Sequence, residues 1–187
     1  MVQTPVQFVS LSEFLQQPDT KPASEYIDGQ IVQKPMPKAD HSAIQGELTA
    51  AINAVLKSEK KGRALPELRC VFADRAIVPD IAVIPWAEVP RNENGKLAGE
   101  LLASPHWMIE ILSEGQSQTK VVRKIFHALE HGTQLGWLID PVEDCVFCYT
   151  PDLRTVLYEQ PQQRLPVPDF AQDFQLTVSQ LIVWLYE

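Results

Sequence analysis

Asp80 and Glu110 are carboxylates set inside two of the most apolar stretches of the chain. Asp80 lies in Ala76-Ile77-Val78-Pro79-Asp80-Ile81-Ala82-Val83-Ile84, and Glu110 in Trp107-Met108-Ile109-Glu110-Ile111-Leu112. Both stretches are short, continuous, rich in β-branched residues and bounded by breakers, which predicts strands buried on both faces. An ionised carboxylate in such a place needs a positive partner, because losing its water is costly. A divalent cation is one candidate and a lysine or arginine is another. Two carboxylates on neighbouring strands with a cation between them make a catalytic metal site. Oxygen ligands of this kind suit Mg²⁺ or Mn²⁺, which lower the pKa of a bound water and steady charge on a phosphoryl group. The alternative is that each acid makes a structural ion pair or caps a loop backbone.

The elements that must position these acids are legible in outline. Residues 8–15 predict a short helix capped by Ser10 or Ser12, and Asp28-Gly29 predicts a hairpin turn within residues 24–34. Apolar residues at helical spacing (Ile44, Leu48, Ala51, Ile52, Val55, Leu56) predict a helix over 41–57. Strands are expected over 67–72 and 77–85, then a polar loop over 88–104 that could serve as a mobile flap. After the Glu110 strand a helix is expected over 118–131, with Gly132 as its stop. Residues 135–139 predict a further strand, 142–149 and 155–160 a hairpin, and 178–186 a last helix. On a strand alternate side chains share a face, so Asp80 goes with Val78, Ala82 and Ile84, and Glu110 with Met108 and Leu112. Helices on either side of the acidic pair imply one α/β (α+β) domain over 1–187: a central mixed β-sheet flanked by helices.

With 187 residues, 45% of them apolar, the chain can bury a single core. A net charge of −8 argues against a large non-specific nucleic-acid surface, although not against a local basic patch. Cys145 and Cys148 form a CxxC, but on a strand side chains three apart point to opposite faces, so shared metal or redox work is not expected. The few cysteines and the lack of a long apolar run place the protein in the cytoplasm, away from any membrane.

Pro79-Asp80, followed after a loop by Glu110-Ile111-Leu112, resembles the PD-(D/E)XK nuclease superfamily, the restriction-endonuclease-like fold. More closely, the chain resembles the restriction endonuclease family catalogued as domain of unknown function 820, almost from end to end. The resemblance rests on the order of weak motifs: Glu25 to Ile31, Pro37 to His41, Ile77 to Ile84, Ile109 to Ser113, Lys124, Gly132, and Trp137 to Pro141. It implies a Mg²⁺- or Mn²⁺-dependent endonuclease acting on DNA, with Asp80, Glu110 and the backbone carbonyl of Ile111 on the metal. A lysine two residues after the Glu assists the attacking water in the superfamily. Here Leu112 stands at that place, and the family resemblance moves the role to Lys124.

Around the helical wheel Lys124 falls away from Ile125 and Leu129, on the polar side with Lys120. A solvated lysine is therefore the competing reading. Lys120 replaces an acid that the family often carries; it could bind phosphate or mark a degraded site. Glu47 is the candidate third carboxylate, or else an exposed surface acid. His41 and Gln116 are candidate substrate contacts, with a plain surface role the alternative for His41. Glu25 matches a family position without a clear chemical role, and Asp140 before Pro141 reads as turn chemistry. Cutting two DNA strands calls for two sites, hence an expected homodimer. The competing function is a catalytically inactive domain of this fold that binds nucleic acid or protein.

Overall fold

Two β-sheets share the work of holding the acidic pair. The computed structural model describes residues 9–186. Phe8, at the expected start of the first helix, lies outside them, and that helix, α1, runs over Leu11–Leu15. Ser10 caps it through a capping box with Glu13. The hairpin forms from β1 (Ser24–Ile27) and β2 (Gln30–Gln33). Its turn places Asp28 at φ 52° and Gly29 at φ 79°, the left-handed pair that suits Asp-Gly in a two-residue turn. The long helix α2 spans Ala39–Leu56. Then follow β3 (Gly62–Pro66), β4 (Cys70–Phe72), β5 (Arg75–Ile77), β6 (Ile81–Pro85) and β7 (Trp107–Ile111). Helix α3 (Gln118–Glu130) leads to β8 (Leu135–Asp140), β9 (Cys145–Tyr149), β10 (Thr155–Tyr158) and α4 (Val178–Val183).

The large sheet runs β10-β9-β8-β7-β6-β3 and the small one β2-β1-β5-β4. In the large sheet β7 and β8 are parallel, joined through α3, and the other pairs are antiparallel. This is the expected mixed sheet. The second sheet, antiparallel throughout, is an addition. It arises because the expected single strand over 77–85 is two strands. β5 pairs in the small sheet, β6 in the large one, and Val78-Pro79-Asp80 is the crossing. Pro79 has no N–H to give a ladder. The Val78 N–H goes to Glu25 Oε1 (2.8 Å) and the Asp80 carbonyl takes the Gln45 amide (2.8 Å). The chain thus leaves one sheet and enters the other at the residue that carries the acid. β3, not foreseen in the sequence, is the edge strand next to β6, and its end at Pro66 fits an edge position.

Each face of the large sheet has its own core. On one, Ile44, Leu48, Ile52 and Leu56 of α2 pack on Ile81, Val83, Trp107, Ile109 and Trp137. On the other, Val121, Ile125, Ala128 and Leu129 of α3 pack on Ala82, Ile84, Met108 and Leu138. The period-two alternation of β6 and β7 is thus divided between two helices. Helix α3 lies very close to β8: a Cβ added at Gly136 would stand 2.3 Å from Ile125 Cγ2. Gly136 thereby lets Ile125, and with it the neighbouring Lys124, approach the sheet. Gly132, at φ 112°, ends α3 in a conformation open to glycine.

The polar stretch over 88–104 is tied down as well as exposed. Leu101 bridges to Cys70 beside β4, with Val71 N to Leu101 O at 2.8 Å and Leu101 N to Arg69 O at 2.9 Å. Val89 and Leu101 are buried. The segment is anchored at both ends, which departs from a free flap. On β9, Cys148 joins the core under α2 with Val146, while Tyr149 joins the core under α3. Cys145, in step with Tyr149, therefore points away from Cys148, and both thiols are free.

Candidate active site

Asp80 and Glu110 meet where β6 begins and β7 nears its end. Ile81 pairs with Ile109 in the antiparallel register, so Asp80 and Glu110 follow as the next opposed positions. The Ile111 N–H donates to Asp80 Oδ2 at 2.7 Å. Asp80 and Glu110 are 2% and 1% exposed.

Lysine stands at both acids. Lys34 Nζ, arriving just past β2, is 2.5 Å from Asp80 Oδ1 and also donates to the Val78 carbonyl at 2.9 Å. His41, in the first turn of α2, brings Nε2 to 3.2 Å from Asp80 Oδ2. Lys124 Nζ lies 2.9 Å from both Glu110 Oε1 and Glu25 Oε1. Lys124 is 5% exposed, so it is a buried group and not a solvated one. The buried stripe of α3 is Val121, Lys124, Ile125 and Ala128, at i, i+3, i+4 and i+7. Counting Ala128 as part of the apolar face moves that face onto Lys124, which corrects its assignment to the polar side.

Burial pushes the Asp80 carboxyl up, but Lys34 and then His41 outweigh it and hold it well below the usual carboxylate range. For Glu110 burial prevails: Lys124 pulls down, Asp80 and Glu25 push up, and the carboxyl stands at about 7. Burial lowers Lys124, yet Glu110 and Glu25 more than reverse that and hold its ammonium strongly protonated.

Once Glu110 is ionised, the cluster holds three carboxylates (Asp80, Glu110, Glu25) against two ammonium groups (Lys34, Lys124). Glu110 Oε1, although 2.9 Å from Lys124 Nζ, has no hydrogen bond among the described residues. A buried carboxylate oxygen without a hydrogen bond, in a cluster with one negative charge in excess, fits a divalent cation. Asp80, Glu110 and the Ile111 carbonyl offer the hard oxygen ligands that Mg²⁺ or Mn²⁺ prefer.

The other named residues divide. Gln116 lines a small opening beside Asp80, together with Lys34, His41, Glu67 and Ser113, and its Oε1 accepts the Ser113 N–H at 3.1 Å. Lys120 is exposed in the first turn of α3, outside the buried cluster. Glu47 is exposed on α2; the buried stripe there is His41, Ile44, Leu48 and Ile52, which turns Glu47 outward. Gln45 is the α2 residue beyond His41 that reaches the acid's backbone. Asp140 Oδ1 accepts from Val142 N and Glu143 N, at 3.0 and 3.2 Å, which is turn chemistry. Nothing local in the sequence marks Lys34 or Gln45 as part of the site, and the Glu25 carboxylate, without a clear role in the sequence, ties Lys124 to the Val78 N–H. A separate groove of about 550 Å³, lined by Ala51, Val55, Phe174 and Trp184 among others, contains none of these residues.

A mixed sheet between two helices, with a Pro-Asp entry into one strand and a buried Glu on the next, is the restriction-endonuclease-like arrangement. The profile of the Uma2 family, described as "Putative restriction endonuclease", matches residues 11–179, and the chain belongs to that family. The chain is also similar to a solved structure from Anabaena variabilis ATCC 29413, titled a "putative nuclease belonging to DUF820". The two are 52% identical with a TM-score of 0.92, and the match covers 95% of this chain and 99% of that one. No curated protein matches.

Proposed function

We propose that the chain is a metal-dependent endonuclease that hydrolyses phosphodiester bonds of DNA. The observation that carries this is the under-compensated Glu110 carboxylate beside Asp80, with a buried lysine against it. When bound by Asp80, Glu110 and the Ile111 carbonyl, Mg²⁺ or Mn²⁺ would supply an activated water and charge stabilisation at phosphorus. Lys124 holds Glu110 in place and sets a fixed ammonium next to it. Glu25 aims that ammonium by accepting from it at 2.9 Å. Lys34 and His41 keep Asp80 ionised and oriented. Gln116 and Ser113 stand at the opening through which a phosphate would approach. A homodimer, with one site per DNA strand, belongs to this reading and is checked by mass measurement at several concentrations.

The expected result is cleavage of plasmid DNA that needs Mg²⁺ or Mn²⁺ and falls by at least about a hundredfold in Asp80→Ala. Equal cleavage by Asp80→Ala and the unaltered chain would falsify the assignment. A second reading, a domain of this fold that binds without cutting, is favoured by Lys34, whose ammonium already sits on the Asp80 oxygen a metal would use. Calorimetric titration with Mg²⁺ and Mn²⁺ separates the two: binding supports the enzyme, and no heat at millimolar ion supports the inactive module.

A further inference from the structure

A second group of metal-binding side chains stands at the far end of α3, outside the carboxylate cluster. His127, Glu130 and His131 are spaced i, i+3 and i+4, which brings them onto one face of a helix. One ligand atom from each lies within 4.8 Å of the others. The imidazole centroids are 4.5 Å apart with the rings inclined at 46°.

Two further observations point to a ligand. His131 Nδ1 is 2.7 Å from the His127 carbonyl. A backbone carbonyl on one ring nitrogen fixes the tautomer and leaves the lone pair on Nε2, the usual support of a metal-binding histidine. His127 Nε2 is shielded from water and has no hydrogen-bond partner among the described residues. Phe72 fixes both rings, stacked on His127 at 5.3 Å and tilted against His131 at 6.0 Å. The neighbouring cation that opposes a metal here, Arg75, is drawn onto Asp28 at 2.6 Å.

We propose that His127, Glu130 and His131 form a second cation site, for a borderline divalent ion such as Zn²⁺. Two imidazoles and one carboxylate select this class of ion over Mg²⁺, so the site differs in kind from the all-oxygen cluster at Asp80 and Glu110. Glu130 and His131 are exposed, and water completes the coordination. The bound ion clamps the last turn of α3, the helix that carries Lys124.

Zn²⁺ is titrated calorimetrically into the full chain in excess Mg²⁺, with His131→Gln, Glu130→Gln and Asp80→Asn alongside. Circular dichroism verifies that each is folded. One Zn²⁺ is expected per chain, with affinity falling by about tenfold or more in His131→Gln and in Glu130→Gln and unchanged in Asp80→Asn. The ring protons of His127 and His131 shift on loading in the unaltered chain. The proposal is overturned by a lack of Zn²⁺ binding in the unaltered chain, or by Zn²⁺ binding that survives in both α3 variants. Loss of binding in Asp80→Asn also overturns it, by placing the ion in the carboxylate cluster.

Discussion

Asp80 and Glu110 sit opposite one another at equal depth, yet the protein treats their charges differently. Asp80 has two cationic or donor side chains and a backbone N–H: Lys34 at 2.5 Å, His41 at 3.2 Å and Ile111 N at 2.7 Å. Among the described residues Glu110 has one cation in contact, Lys124, and shares it with Glu25. One carboxyl accordingly lies far below its ordinary range and the other at about 7. The fold alone satisfies Asp80. It leaves Glu110 short of positive charge, and a bound cation would make up the deficit there. A site built to stay empty would be expected to compensate both acids alike.

The largest effect expected from breaking this asymmetry is at Lys124. Lys124→Met keeps the length of the side chain and removes the charge, leaving Glu110 and Glu25 buried together without a cation. Breaking one partner out of a buried ion pair costs about 3–5 kcal/mol. Denaturant unfolding of the metal-free protein should show a loss of that size at neutral pH, with Mg²⁺ recovering part of it. A loss below about 1 kcal/mol would mean that Glu110 draws its compensation from elsewhere.

Next comes the titration of Glu110 itself. Its folded pKa is raised, from 4.5 to about 7. Between those values the folded protein keeps a proton that the unfolded chain has released. The sign follows: metal-free stability falls as pH rises from 4.5 through 7, and the loss is complete above 7. By linkage this amounts to about 3 kcal/mol. Glu110→Gln removes the titration, so its stability should change by that much less over the same pH range. Asp80, with its lowered pKa, has the opposite sign and acts at lower pH, where stability is lost as acid is added below about 4. Parallel stability curves for Glu110→Gln and the unaltered chain between pH 4.5 and 7.5 would remove the asymmetry.

How much of this was legible depends on how local each feature is. Asp28-Gly29 forces its turn, Gly132 ends its helix, and the apolar runs at 107–111 and 135–139 become paired strands because each needs only its own neighbours. The break at Val78-Pro79-Asp80 was hidden in an apolar run. What divides it is Glu25, some fifty residues away in sequence, taking the Val78 N–H. Lys34 reads as a polar residue ahead of two prolines until the hairpin folds back over Asp80. Gln45 and Glu47 are both polar residues on α2, and only the packing of that helix decides that Gln45 turns inward. Acids buried in strands announce themselves by composition, whereas their counter-ions are set by tertiary approach.

The smallest expected effect is at Lys34, and it discriminates most finely. Lys34→Met removes one of several partners of Asp80 and leaves His41 and the Ile111 N–H in place. The cost in metal-free stability should be about 1–3 kcal/mol, the range for losing one charged hydrogen bond from a group that keeps others. The same change frees Asp80 Oδ1, so Mg²⁺ or Mn²⁺ should bind more tightly in Lys34→Met, whereas Glu110→Gln should bind them less tightly. The two variants then change ion affinity with opposite sign, because one frees an oxygen ligand on Asp80 and the other removes one at Glu110. If Lys34→Met is as costly as Lys124→Met and binds no ion better, Asp80 depends on Lys34 as Glu110 depends on Lys124. The lysine on Asp80 would then be a permanent ion pair and not a placeholder for a metal.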